Sequence, residues 1–123
     1  MADIQTELVA TLEAVAGAPD RVYPDRWPQD ATFPLITYQL ISRVPEYAFG
    51  RARGSRQDRW QIDVWARTTA EVVTLAGQVE TALIAWTGTT TDVLALALDN
   101  QRDVPEAATD LRRRSMDALV RYA

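Results

Sequence analysis

FPLITYQLISRV at residues 33–44, PEYAFGRARGSR at 45–56 and QDRWQIDVWA at 57–66 form the stretch whose reading decides the fold. Successive side chains of an extended chain alternate between two faces. In the first segment Ile36, Tyr38, Leu40 and Val44 therefore share one face, and Leu35, Thr37, Gln39, Ile41 and Arg43 share the other. In the third, Trp60, Ile62, Val64 and Ala66 oppose Gln61, Asp63 and Trp65. The pattern predicts two long strands, 35–44 and 59–67, around a loop. That loop carries Arg51, Arg53 and Arg56 among Gly50, Gly54 and Ser55, with Arg59 at its far end. Leu35, Ile41 and Trp65 interrupt an otherwise polar face. A sheet covered on one side tolerates a few apolar residues outside, but three together mark candidates for contact with another subunit.

Upstream, Ile4, Leu8, Leu12 and Val15 recur at spacings of three and four, which predicts an amphipathic helix over residues 3–16. Gly17 and Pro19 supply its stop. Prolines at 24, 28 and 34 forbid a regular helix in the next stretch, where Val22 and Tyr23 suit a short edge strand. Trp27 and Phe33 are the expected anchors of this loop, and Trp27 is also a candidate for a protein interface, where aromatics are enriched. Downstream, Thr68 and Glu71 have capping-box spacing and open a second helix with the stripe Val72, Leu75, Ala76, Val79, Leu83 and Trp86. TGTTTD at 87–92 reads as a turn, 93–103 as a strand and 111–122 as the last strand. In that last strand Met116, Ala118, Val120 and Tyr122 enter the core, and Arg112, Arg113 and Arg114 stay in solvent. The expected fold is a single α+β domain over residues 1–123, a two-layer sandwich of about four antiparallel strands with two helices on one face.

Composition narrows the chemistry. The 123 residues include no cysteine and no histidine, so thiol chemistry, disulfides, imidazole bases and the usual zinc sites are not expected. No apolar run approaches the roughly 20 residues that span a bilayer, and no membrane association is expected. All 13 basic residues are arginine, each a planar fork suited to carboxylates and phosphates. The formal charge of −4 nevertheless argues against a general nucleic-acid binder.

No catalytic constellation emerges. Asp58 and Asp63 fall on opposite faces of their strand, and Asp99, Asp103 and Asp110 match no calcium loop. Gly50 and Gly54 lack the lysine and helix start of a phosphate-binding loop. No enzyme, cofactor or metal is expected. The arginine loop admits two readings: a solvated tip that keeps a long edge soluble, or a surface for phosphates or carboxylates through bidentate contacts. Arg112 and Arg113, within a second cluster that runs to Arg114, are candidates to pair with acids of a neighbouring subunit.

Val22-Tyr23-Pro24, Pro34 at the start of the first long strand, Gln61-Ile62-Asp63-Val64 in the second and Arg113-Arg114-Ser115 in the last carry a resemblance. The chain resembles, over nearly its whole length, the small tail-completion or tail-terminator proteins of long-tailed bacteriophages, prophages and gene-transfer agents. The resemblance implies a homo-oligomeric ring, typically a hexamer, in the neck region of the virion tail, assembled in the host bacterial cytoplasm. Such a ring caps the head-proximal end of the tail tube, stops its polymerisation and presents a surface for the head–tail connector or stopper protein. Double-stranded DNA passes its lumen without sequence-specific binding. Arg51, Arg53, Arg56 and Arg59 would then face the lumen, the tube protein or the adjacent subunit. The competing expectations are another neck ring, such as a head–tail stopper, and a small nucleic-acid-binding module that uses the arginine loop.

Overall fold

The computed structural model describes residues 4–15, 21–48, 51–86, 93–104 and 110–122. The elements are α1 (Ile4–Glu13), β1 (Val22–Pro24), β2 (Leu35–Ala48), β3 (Arg51–Ala66), α2 (Thr69–Trp86), β4 (Val93–Val104) and β5 (Arg112–Tyr122). They form a two-layer α+β structure with one five-stranded sheet in the order β1-β2-β3-β5-β4. The sheet is mixed, not wholly antiparallel. β1 runs parallel to β2, with Val22 opposite Ile36 and Pro24 opposite Tyr38, whereas the other three pairings are antiparallel.

Both helices form as their spacing predicts. Ile4, Leu8, Leu12 and Val15 are buried, as are all six residues of the α2 stripe. The α2 cap is in place: the Thr68 hydroxyl accepts the Glu71 N–H at 3.2 Å and donates to the Glu71 carboxylate at 3.0 Å. These helices cover Ile36 and Tyr38 of β2, Trp60, Ile62 and Val64 of β3, and Met116, Ala118, Val120 and Tyr122 of β5. The predicted turn at 87–92 and the connection at 105–109 lie outside the described residues.

The parallel pairing of β1 has a consequence for the opposite face. Parallel neighbours need a connection that returns along the sheet. Residues 25–34 make that return and carry Trp27, Ala31 and Phe33 onto Leu35, Trp65 and Leu111, away from the helices. Asp25 takes the left-handed conformation (φ 67°), which a short polar side chain tolerates, and its N–H donates to the Tyr38 carbonyl at 2.9 Å. Trp27 meets Trp65 edge-on at 4.7 Å and Phe33 at 5.4 Å between ring centroids. The Trp65 indole N–H donates to the Thr37 hydroxyl at 3.0 Å.

Two local features differ from the expected strands. The register of β2 against β3 shifts between Leu40 and Ser42, so Ile41 is a bulged residue. Beyond it the alternation is inverted: Arg43 pairs with Asp58 on the helix-covered side, and Val44 turns outward, 57% exposed. The strands also run further than predicted, to Ala48 in β2 and from Arg51 in β3, so Arg51, Arg53 and Arg56 lie in strand and not in a loop. The pairing of β3 with β5 begins only at Arg56 opposite Tyr122. Residues 45–48 and 51–55 therefore project as a two-stranded arm past the last row of the sheet.

The orientation of α2 is tested by two adjacent residues. Leu83 is fully buried and Ile84 is 58% exposed. Leu83→Ala should cost about 2–5 kcal/mol in denaturant unfolding, the range for truncating a buried leucine. Ile84→Ala should cost well under about 1 kcal/mol. Equal losses at the two positions would contradict the packing.

Candidate assembly surface

At the base of the arm sits a buried carboxylate. Asp58 is 0% exposed and lies in the same phase of β3 as the core residues Trp60, Ile62 and Val64. Arg43 approaches it in a fork, Nε to Oδ1 at 2.9 Å and Nη2 to Oδ2 at 3.0 Å. The Trp60 indole N–H donates to Oδ2 at 3.1 Å, and the Tyr122 hydroxyl donates to Oδ1 at 3.2 Å. The Arg43 guanidinium also lies 5.8 Å from the centroid of the Tyr122 ring. β2, β3 and β5 are thus tied together where the arm leaves the sheet. Burial of the phenol, followed by the nearby Asp58 charge, raises the Tyr122 pKa above its ordinary value of 10.0.

The face away from the helices is divided. One end holds the aromatic cluster, with the Arg113 guanidinium 4.8 Å from the Trp65 ring centroid and that of Arg67 5.0 Å from the Phe33 ring centroid. The other end is a lattice of arginines and aspartates. Arg59 bridges Asp99 at 3.0 Å and Asp117 at 3.2 Å, and Arg102 reaches Asp117 at 3.7 Å. At the aromatic end, Arg113 pairs with Asp63 at 3.0 Å. In the helix-facing phase of β5, Arg114 bonds Asp103 of β4 at 2.7 Å, and this hydrogen bond holds the Asp103 carboxyl below its ordinary pKa.

The residues singled out from sequence are placed as follows. Leu35 (0% exposed) and Trp65 (9%) are covered by their own chain, so the apolar surplus that suggested a partner there is used internally. Trp27 is half-buried and anchors the loop against them. Ile41 stays on the surface, 46% exposed at the bulge. Arg113 and Arg114 are half-buried and use acids of their own chain, contrary to the solvated cluster expected, and Arg112 is exposed. Arg59 belongs to the ionic lattice and Arg56 is exposed at the base of the arm. Arg51 and Arg53 lie on the arm, where only the backbone is described. The Asp58 cluster was not anticipated; its signal was an aspartate in the apolar phase of β3. The outward turn of Val44 had no signal, because the bulge leaves no mark in the composition of β2.

Asp58 and Asp63 do point to opposite faces, as their spacing predicts. A groove of about 490 Å³ between α1 and α2 is lined by Ala14, Val15, Gly77 and Ala85 together with Thr74, Gln78 and Thr81, with no ionisable side chain among the described residues. The polar side chains thus hold the chain's own sheet together, and Leu40, Ile41, Val44, Val73 and Ile84 are the large apolar residues left exposed among the described residues. The sequence model of the tail completion protein gp17 family matches residues 3–123, and the chain belongs to that family. With it comes a structural role in a phage tail. No curated protein matches the sequence. Among solved structures, a chain of the virion of a native gene transfer agent particle is similar, with TM-score 0.77 at 16% identity, over 97% of this chain and 93% of that one. At that identity the likeness is one of fold.

Two predictions follow from the buried carboxylate. Asp58→Ala strands the Trp60 and Tyr122 donors in the core and should cost about 3 kcal/mol or more in denaturant unfolding. A loss below about 1 kcal/mol would contradict the network. The second concerns alkaline pH. Because the fold raises the Tyr122 pKa, its contribution is complete below pH about 10 and is lost as pH rises through the folded value. The melting temperature should therefore fall more steeply above pH about 10 in the wild type than in Tyr122→Phe. Parallel slopes would remove Tyr122 as the cause.

Proposed function

We propose that this chain is a tail-terminator subunit. Copies form a closed ring, a hexamer, on the head-proximal end of the tail tube in the neck of the virion. The ring stops tube polymerisation and offers its other side to the head–tail connector or stopper. The observation that carries the reading is the family match over residues 3–123. The geometry supports it through a subunit whose arm projects from the sheet on a buried anchor, at a place where a neighbouring protein can be reached.

The arm is the part we assign to contact. Arg51 and Arg53 lie on the arm and Arg56 at its base, and we assign them to contact with the adjacent subunit, the tube protein or the lumen. Assembly of the ring takes place in the host cytoplasm, and DNA passes through its centre during ejection. A sequence-reading role for the arginines is disfavoured by the net charge of −4 and by the acids that already neutralise Arg43, Arg59, Arg113 and Arg114. The channel wall then acts as a surface that DNA passes without being held.

The test is genetic and visual. A particle lacking this chain should make tubes of uncontrolled length that do not join heads, and wild-type protein should restore both. The Arg51→Ala, Arg53→Ala, Arg56→Ala triple variant should fold normally and fail in joining. Normal tail length and infectivity in that variant would overturn the role of the arm. Normal tails in the absence of the whole chain would overturn the terminator reading.

A further inference from the structure

The five-stranded sheet ends in two open edges of different kinds. β1 covers β2 only opposite residues 36–38, so from Gln39 onward β2 has no neighbour on that side among the described residues. β4 is the last strand at the other end and has no described neighbour beyond it. Open edges are ordinarily protected by lysine, proline, inward charge, a β-bulge or extreme shortness. Residues 93–98 of β4, VLALAL, carry no charge and no proline, and the register shifts of this strand fall at the two ends of the run, between Val93 and Ala95 and between Leu98 and Asn100. The open part of β2 carries the bulge at Ile41, the inward Arg43 and Pro45, and still exposes Leu40 (37%), Ile41 (46%) and Val44 (57%).

The two edges stand at the same height in the sheet. Following the register across it, Leu40 pairs with Trp60, Trp60 with Ala118 and Ala118 with Leu98. Ser42 leads in the same way through Arg59 and Leu119 to Ala97, and Val44 through Gln57 and Arg121 to Ala95. The apolar half of β4 therefore lies level with the open half of β2. Their directions also match. β2, β3, β5 and β4 alternate, so β2 and β4 run oppositely within one subunit. Placing β4 of one copy beside β2 of the next extends the antiparallel order already present.

We propose that residues 93–98 of one copy pair with residues 39–44 of a second copy, joining the sheets of neighbouring subunits edge to edge. The inference rests on the terminator reading and names the surfaces that close the ring. A head-to-tail contact needs two different complementary patches, and these two edges supply them in length, polarity and direction. Because they are level, successive copies gain no offset along the strand direction. A contact without such an offset is compatible with a closed ring, whereas an offset would build a helical filament. A strand from a different tail protein would satisfy one edge and leave the other open, which is why the second copy is the occupant chosen.

The chain has no cysteine, so engineered thiols report only on the contact. Val44→Cys, Ala95→Cys and Ala97→Cys each replace an exposed residue. Facing residues of an antiparallel pair have Cβ atoms about 4.5–5.5 Å apart, within reach of a disulfide after slight adjustment. Oxidised mixtures of Val44→Cys with one of the two β4 variants should give a cross-linked dimer. Each variant alone should give far less, and the corresponding double variant should give a ladder ending at the full ring. On wild-type rings, amide exchange in residues 39–44 and 93–98 should slow by about tenfold or more relative to dispersed subunits.

A ring of the expected mass with no cross-link in either mixture and no protection at these residues overturns edge joining and leaves the terminator reading standing. Val44→Cys alone dimerising as well as the mixtures makes the contact two-fold symmetric and also overturns it. Cross-linking of an edge to the tube protein in place of another copy overturns the choice of occupant. A chain that stays monomeric with tail tubes present overturns both the junction and the function on which it rests.

Discussion

The carboxylate of Asp58 is withdrawn from water and accepts hydrogen bonds from Arg43 on β2, Trp60 on β3 and Tyr122 on β5. A buried charge is costly unless it is paired and its remaining lone pairs are filled, and both conditions are met here. The arrangement depends on the bulge at Ile41. Without it, alternation would place Val44 on the helix-covered side and aim Arg43 at solvent. With it, the guanidinium reaches Asp58 and an apolar residue is released to the surface. One irregularity in β2 thus secures the base of the arm and exposes Val44 on the open edge.

The rest of the sheet follows a division of labour between its faces and its edges. The helix-covered face holds the main core, and the returning loop places a second apolar cluster on one end of the opposite face. The remainder of that face is held by arginine–aspartate pairs across β3, β5 and β4. Pairs of this kind contribute little individually at a surface, although a connected set across strands also favours one register. Both faces of the sheet being occupied in this way, the large apolar side chains left exposed among the described residues are Leu40, Ile41 and Val44 of β2 and Val73 and Ile84 on the outer side of α2. That is the economy expected of a small structural subunit in a larger assembly.

Much of this was legible in the residues. The helix stripes of α1 and α2 and the capping box read directly, because periodicity and local hydrogen bonding are properties of short segments. The succession of helices and strands along the chain is also readable, β2, β3 and β5 from their alternation and β4 from its place after a helix and a turn. What could not be read is non-local. The parallel pairing of β1 depends on a return path that no local pattern encodes, and that path is why Leu35 and Trp65 looked unpartnered when Trp27 and Phe33 in fact cover them. The bulge at Ile41 changes the phase of β2 without any marker such as glycine. The RRR run at 112–114 seemed solvated because its acids, Asp63 and Asp103, lie on two other strands. Gly50, Gly54 and Ser55 predict a loop where the arm stands, although glycine is also admitted at strand edges and bulges.

The central claim is that this chain closes the head-proximal end of a tail as a ring of identical subunits. Electron cryomicroscopy of the particle neck, averaged without imposed symmetry, addresses it most directly. The account predicts one ring of this fold stacked on the last ring of the tube, its sheets oriented alike around the axis and its arms reaching the neighbouring subunit, the tube or the channel. Density for this fold elsewhere in the particle, or in isolated copies that form no ring, would contradict it.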